Sequence, residues 1–228
     1  MSFLLLTLCS VIYAIVVWFA PSVFWHIRGN WFKNMAKRFK YFLLAFSLSI
    51  FVLYVMIPIL VVAAVEGKDL RFMGFFFPSL PDLLLFTLAP YTILLVFSLL
   101  ESWYRVTRKF ESLDIVAPLP RSYPREVLDQ VLSVAFPEEV LHRGYLLPHL
   151  LELLNPTFAI GVSAIIFSLL HVLSGGRYRA LRTIVDGIIL GTAFMYAGLL
   201  PCILVHFAGN LFTGKLERTI LDRTSARE

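Results

Sequence analysis

Polar side chains of the kinds that perform hydrolysis recur in three apolar stretches of the second half of the chain. The stretches are FPEEVLHRGY, FSLLH and HFAGN. Ionisable groups inside apolar segments are energetically expensive, and within a membrane they mark functional sites by default. We therefore treat the polar residues of these stretches as one candidate site. Its members are Glu138, His171, His206 and Asn210 as catalytic candidates, with Glu139, Arg143 and the aromatic Phe167 as supporting residues.

The two adjacent glutamates are predicted to have different roles. Glu139 and Arg143 are four residues apart, so on a helix they share a face and can form an ion pair, which lowers the cost of burying both charges. Glu138 is rotated by about 100 degrees from Glu139 on a helix of 3.6 residues per turn, away from that arginine. Glu138 is therefore the carboxylate that we expect to take part in chemistry.

One carboxylate, two imidazoles and one carboxamide on separate helices are enough to hydrolyse an amide. Glu138 can act directly as the general base on a water molecule. Alternatively, Glu138, His171 and His206 can hold a divalent metal, Zn²⁺ being the candidate, whose bound water becomes nucleophilic near neutral pH. His206 and Asn210 are four residues apart and lie on one helix face, where they can donate hydrogen bonds to an oxyanion.

Each of these polar residues also has a structural interpretation. His171 lies close to a basic loop and can be an interfacial histidine, and His206 and Asn210 can serve as hydrogen-bonding contacts between helices. His142 is a further potential ligand that can equally face solvent or lipid head groups, so we leave it out of the site. Cys202, four residues before His206, permits a Cys–His nucleophilic pair, although a buried cysteine behaves as a small hydrophobe.

The elements that position these residues are predicted to be membrane-spanning helices. The chain has 228 residues, of which 59% are hydrophobic and 15% charged, and its mean hydropathy is +0.80, outside the range of soluble domains. A helical span needs about 20 apolar residues. In addition, Gly187 and Gly191 form the GxxxG pattern of closely packed helices. The fold class is thus an all-α polytopic membrane protein of about seven helices, the last four forming the catalytic core. The predicted spans are 3–25, 41–65, 83–100, 127–154, 158–173, 184–200 and 202–212.

Basic residues predict the orientation of these helices. The loop at 26–40 is rich in Lys and Arg, whereas the loop at 66–82 has more acids than bases. The positive-inside rule then places the N-terminus outside and the C-terminus in the cytoplasm. The net charge of +5 comes from such loops and indicates lipid head groups rather than nucleic acid. The proline-rich stretch IVAPLPRSYPRE predicts a linker between an N-terminal unit at 1–115 and a core at 125–215.

The three motifs together resemble a known family. EExxxR at Glu138, Glu139 and Arg143, then FxxxH at Phe167 and His171, then HxxxN at His206 and Asn210, are similar to the motifs of the CPBP family, also called Abi or type II CAAX prenyl endopeptidases. The resemblance covers roughly residues 127–214. It implies an intramembrane protease in which Glu138 activates water, His171, His206 and Asn210 complete the site, and Glu139 pairs with Arg143.

The resemblance implies an endopeptidase that cuts near the C-terminus of a membrane-associated protein or peptide, of the prenylated CAAX type among others. Whether such sites use Zn²⁺ or work without metal stays open at this point. The expected location is a prokaryotic cell membrane, with the site opening to the cytoplasm. The alternative function is a membrane scaffold or bacteriocin-immunity protein that binds a partner in the same cavity without cutting it.

Overall fold

The chain folds into packed helices that are suited to a membrane. The computed structural model describes residues 3–38, 42–107, 127–128, 131–132 and 134–213, and within these ranges it contains helices and turns but no strand. Among these described residues, four helical stretches are long and apolar enough to cross a bilayer, and two shorter apolar helices accompany them. The predicted fold class, an all-α polytopic membrane protein, is confirmed. The predicted linker and the boundary at 115–125 lie outside the described residues.

The main helical segments are numbered in chain order. Helix α1 is Phe3–Arg38 and α3 is Leu80–Thr107. Segment α2 (42–65) joins α-helical Phe42–Phe51 and Ile57–Leu60 to π-helical Val52–Met56 and Val61–Val65. Segment α4 (135–151) consists of α-helical Ala135–Glu139, π-helical Val140–Leu146 and α-helical Leu147–Leu151. Helix α5 is Pro156–Ala197, and α6 (199–213) joins Leu199–Ala208 to the π-helical turn Gly209–Thr213.

Segment α4 is the buried centre of the fold and carries the first motif. It begins at Ala135 with Pro137 inside its first turn, a position that does not require the missing N–H. Every residue from Glu139 to Leu150 is buried. The middle of the segment is a π-helix closed by the Leu147 N–H on the His142 carbonyl, and such widened turns are frequent at functional sites.

Segment α5 doubles back on itself, so that it consists of two helical arms rather than one straight helix. Ser168 Oγ donates a hydrogen bond to the Ala180 carbonyl at 2.6 Å, whereas twelve residues of straight helix would separate them by about 18 Å. A Cβ placed on Gly187 would stand 2.7 Å from the Ala164 Cβ, so the facing backbones are in close contact. The chain therefore forms two antiparallel arms, one ending at Ser168 and one beginning at Ala180. They correspond to the predicted fifth and sixth spans.

The final turn between helices lies earlier than the sequence indicated. Residues 184–200 and 202–212 were predicted as separate spans, but α5 ends at Ala197 and α6 begins at Leu199. The reason is Gly198, whose φ of 73° is accessible to glycine at little cost. A Cβ there would also lie 2.8 Å from the Gly74 carbonyl oxygen, and that oxygen accepts a hydrogen bond from the Leu199 N–H at 3.0 Å.

A cluster of polar side chains closes the end of α4 opposite to the two glutamates. We call it the far-end cluster; it comprises Thr7, Ser10, Glu66, Lys68, His149 and Glu152. Glu66 is its hub, since its carboxylate accepts from Ser10 Oγ at 2.8 Å and lies 2.9 Å from both Lys68 Nζ and His149 Nε2. Burial alone would raise the pKa of Glu66, but hydrogen bonds from Lys68, His149 and Ser10 lower it below its ordinary value.

The far-end cluster also ties α1 and the 66–68 loop to the end of α4. Lys68 Nζ lies 2.7 Å from Glu152 Oε1, and Thr7 Oγ1 donates to Glu152 Oε2 at 3.0 Å. His149 Nδ1 lies 2.6 Å from the Tyr145 carbonyl oxygen. Within the described part of the chain, the polar groups of this cluster are therefore well satisfied, as buried polar groups must be.

Candidate active site

The first motif places one carboxylate inside the protein and one at its surface. The Glu139 side chain is completely buried, and its Oε1 lies 2.8 Å from Nη1 of the equally buried Arg143. The pair expected from the spacing of these residues therefore forms. The Glu138 side chain is 17% exposed. Helix geometry thus separates the two neighbours, one into the interior and one toward a space that solvent reaches.

Glu139 has a second partner that sequence reasoning missed. His206 Nδ1 lies 2.7 Å from Glu139 Oε1, the same oxygen that Arg143 contacts. A carboxylate that accepts from an imidazole N–H fixes the ring's tautomer and orientation. No spacing pattern could have revealed this contact, because the two residues are 67 positions apart. Glu139 therefore links the first motif to the third.

The other nitrogen of His206 faces Glu138. His206 Nε2 lies 3.9 Å from Glu138 Oε2, which is too long for a hydrogen bond. At such a distance a bridging water is the usual link between two polar groups. A water about 2.8 Å from each atom would fit this separation. The structure therefore places the Glu138 carboxylate and the His206 imidazole at a separation that one bridging water could span.

The second motif lies against the same residues. His171 Nδ1 lies 3.0 Å from the Phe167 carbonyl oxygen, so Nδ1 donates and the neutral ring keeps Nε2 as its acceptor. The Phe167 ring is 5.0 Å from the His171 ring and 6.3 Å from the His206 ring. The Arg143 guanidinium lies 4.6 Å from the centre of the Phe167 ring, a cation–π contact. Phe167 thus packs among the charged and imidazole side chains.

Two further residues of the last helix were considered from the sequence. Asn210 follows His206 by one turn, in the π-helical end of α6, and its side chain is exposed. The Cys202 thiol is buried and donates to the Leu190 carbonyl at 3.2 Å. Since Cys202 is hydrogen-bonded to the second arm of α5, this contact favours its structural interpretation over a Cys–His nucleophilic pair.

His142 and Trp18 also border the site, and the sequence analysis did not include them. The His142 ring is 4.3 Å from the Trp18 ring and 4.9 Å from the Phe167 ring, edge to face in both cases. Both side chains are buried. The spacing of His142 from Glu138 was a usable signal, whereas nothing distinguishes Trp18 from the other aromatics of its apolar span.

The sequence offered Glu138, His171 and His206 as candidate metal ligands. Among the residues that the structure describes, no group of three or more His, Cys, Asp or Glu side chains is arranged to hold a metal ion. Glu138 and His206 instead face one another across 3.9 Å, and His206 Nδ1 is held by Glu139.

Helical architecture and buried ionisable residues define this protein as an integral membrane protein with a polar site inside its helices. Residues 122–212 match the family model described as Type II CAAX prenyl endopeptidase Rce1-like. These residues contain all three motifs, and the resemblance to the CPBP family is confirmed. No match was found among curated proteins or among solved structures.

Proposed function

We propose that this protein is an intramembrane endopeptidase that uses water activated by Glu138. The observation that carries the proposal is the chain of contacts from Arg143 through Glu139 to His206, which ends with His206 Nε2 opposite the Glu138 carboxylate. A buried ion pair that serves only for stability is no better than well-packed apolar residues. Here the pair orients an imidazole, as a catalytic constellation requires.

The proposed reaction begins with a water molecule between Glu138 and His206. Glu138 takes one proton from this water while the oxygen attacks the scissile carbonyl carbon. His171, whose Nδ1 is held by the Phe167 carbonyl, orients the water through Nε2. The tetrahedral intermediate then collapses, and Glu138 returns the proton to the leaving amine. Atoms and protons balance without another reactant.

The oxyanion of the intermediate needs hydrogen-bond donors. His206 Nδ1 donates to Glu139, so in the imidazolium form Nε2 can donate to the oxyanion while the ring remains anchored. Asn210, one turn later on α6, supplies a carboxamide N–H. Preorganised donors of this kind are typically the largest single contribution to catalysis. We assign no step to Zn²⁺, since the described residues form no metal cluster.

The proposed substrates are membrane-associated proteins or peptides, including the prenylated CAAX type, cut near their C-termini. The family match supports this substrate class. The lipid bilayer is the working environment, and nucleic acid has no part in the proposal. We also propose a prokaryotic cell membrane as the location, with the N-terminus outside and the C-terminus and site opening cytoplasmic. The distribution of basic loops supports this orientation.

Mapping of protein termini tests the activity without a guess about the substrate. Membranes of the native host would be compared at matched expression of wild type, Glu138→Gln and Glu152→Gln. Glu152 is a matched control because its side chain is also 17% exposed and lies just beyond the opposite end of α4. New termini are expected with wild type and Glu152→Gln but not with Glu138→Gln. Identical termini in all three strains would refute proteolysis and favour the scaffold or immunity role.

A further inference from the structure

Buried polar atoms with no hydrogen-bond partner in the described structure gather at the π-helical turn of α4. Five of them belong to four residues that border one another; they are Trp18 Nε1, Glu139 Oε2, Arg143 Nη2 and both ring nitrogens of His142. Native proteins leave few such atoms unsatisfied. Their concentration at one place therefore indicates that this place binds a polar group that the described chain does not itself supply.

His142 has the most to gain from such a group. The residue is only 1% exposed, and its ring lies between Trp18 and Phe167 at centroid distances of 4.3 and 4.9 Å. Both rings lie edge-on to the imidazole, so neither offers it a conventional acceptor. A buried imidazole with two unused nitrogens is costly, and an apolar residue of similar shape would avoid that cost.

The position of His142 connects it to the proposed reaction. It follows Glu138 by four residues, so it lies on the same face of α4, about one turn further along. The Phe167 ring that packs on His142 also packs on His171 at 5.0 Å, and Trp18 is 6.4 Å from His171. The Phe167 ring thus contacts both His142 and His171, and so connects the Trp18–His142 pair to the site.

We propose that His142, with the indole N–H of Trp18, binds a polar group in the candidate active site and positions it about one helical turn from Glu138. The group is a hydrogen-bonding species that can both donate and accept, either a water molecule or a peptide unit of the substrate. Trp18 can only donate through Nε1, whereas a neutral His142 has one donor and one acceptor. This inference rests on the proposed function and adds a positioning residue to it.

Two histidines of α4 provide a matched test. His149 is as buried as His142, but both of its nitrogens have partners, Nδ1 the Tyr145 carbonyl and Nε2 the Glu66 carboxylate. The variants are His142→Phe, His142→Gln and His149→Phe, with Glu138→Gln as the inactive reference. The substrate is a quenched fluorescent peptide that spans a cleavage site mapped in the host. Steady-state kinetics and thermal unfolding in detergent are measured for each purified full-length protein.

The two histidines should respond in opposite ways. His142→Phe should keep or raise the unfolding temperature and lower kcat/KM about tenfold, as expected for the loss of one transition-state hydrogen bond. His142→Gln should recover part of this loss, because a carboxamide both donates and accepts. His149→Phe should lower the unfolding temperature, since it removes one of the three partners of the buried Glu66 carboxylate, yet retain the kcat of the folded protein. If His142→Phe lowers kcat alone, the group bound by His142 is a water molecule. If His142→Phe raises KM, the group is a peptide unit of the substrate.

Each contrary result has a definite meaning. If His142→Phe cleaves with wild-type kcat and KM while Glu138→Gln is inactive, the inference about His142 is wrong and the proposed function stands. If His142→Phe unfolds at as low a temperature as His149→Phe, His142 has a structural partner and the premise fails. If the wild-type protein does not cleave the peptide, the inference fails together with the proposed function.

Discussion

Glu139 is held by two partners inside the protein, and its replacement by glutamine is predicted to unfold the site. Glu139→Gln keeps the shape of the side chain but removes the charge that balances Arg143, whose side chain is only 2% exposed. Removing one partner of a buried pair costs about 3–5 kcal/mol. Each kcal/mol shifts the unfolding temperature of a chain of this size by about 2–4 °C. We expect a decrease of roughly 6–20 °C, measured by thermal unfolding in detergent.

The neighbouring glutamate provides the control. Glu138→Gln removes a more exposed carboxylate whose neighbour His206 is 3.9 Å away, so stability should change by about 1 kcal/mol or less while cleavage is abolished. Arg143→Met combined with Glu139→Gln removes both charges and should be more stable than Glu139→Gln alone. An unfolding temperature of Glu139→Gln within about 2 °C of wild type, or a double variant no more stable than the single one, would refute the assignment of Glu139 as a buried anchor.

Three further predictions concern the far-end cluster, the α5 hairpin and the orientation. The folded-state pKa of Glu66 is lowered, so its stabilising effect is present above its ordinary pKa and is lost as the pH falls through the folded value. Between about pH 6 and pH 3, the wild-type unfolding temperature should therefore fall more than that of Glu66→Gln; parallel curves would contradict this. Gly187→Ala should lower the unfolding temperature because its Cβ would meet the facing arm at 2.7 Å, whereas Gly161→Ala, with open space around it, should not. Arg71→Cys in a Cys9→Ser background should react with a membrane-impermeant maleimide in intact cells, and labelling only after lysis would reverse the proposed orientation.

Hydropathy was sufficient to predict the fold class, because each apolar run must become a helix to satisfy its backbone inside a bilayer. It could not locate the turn before α6. The run ILGTAFMYAGLLPCILV is apolar on both sides of Gly198, and the residue that stops α5 is identified by its contact with Gly74 in a distant loop. Helix ends set by tertiary contacts are not visible in local sequence.

The site was predictable only where its contacts are local. Glu139 and Arg143 are one helical turn apart, so their pairing followed from spacing. The contact of Glu139 with His206 depends on how α4 and α6 pack. The contact of Trp18 with His142 depends on how α1 packs against α4. The family motifs include neither Trp18 nor His142. Motif reasoning alone therefore omitted the part of the site where buried polar atoms lack hydrogen-bond partners.

The participation of α1 and of the 66–68 loop has a consequence for how the protein can be dissected. The segment that matches the family, residues 122–212, would on its own leave His149 without Glu66 and His142 without Trp18. A minimal protease made by truncation would therefore expose buried imidazoles to lipid. Transplantation of the motifs into another scaffold would also have to supply an aromatic ring in the place of Trp18 and a carboxylate in the place of Glu66. Both residues come from parts of the chain that carry no motif. The smallest unit that can build this site is thus larger than the segment that matches the family model.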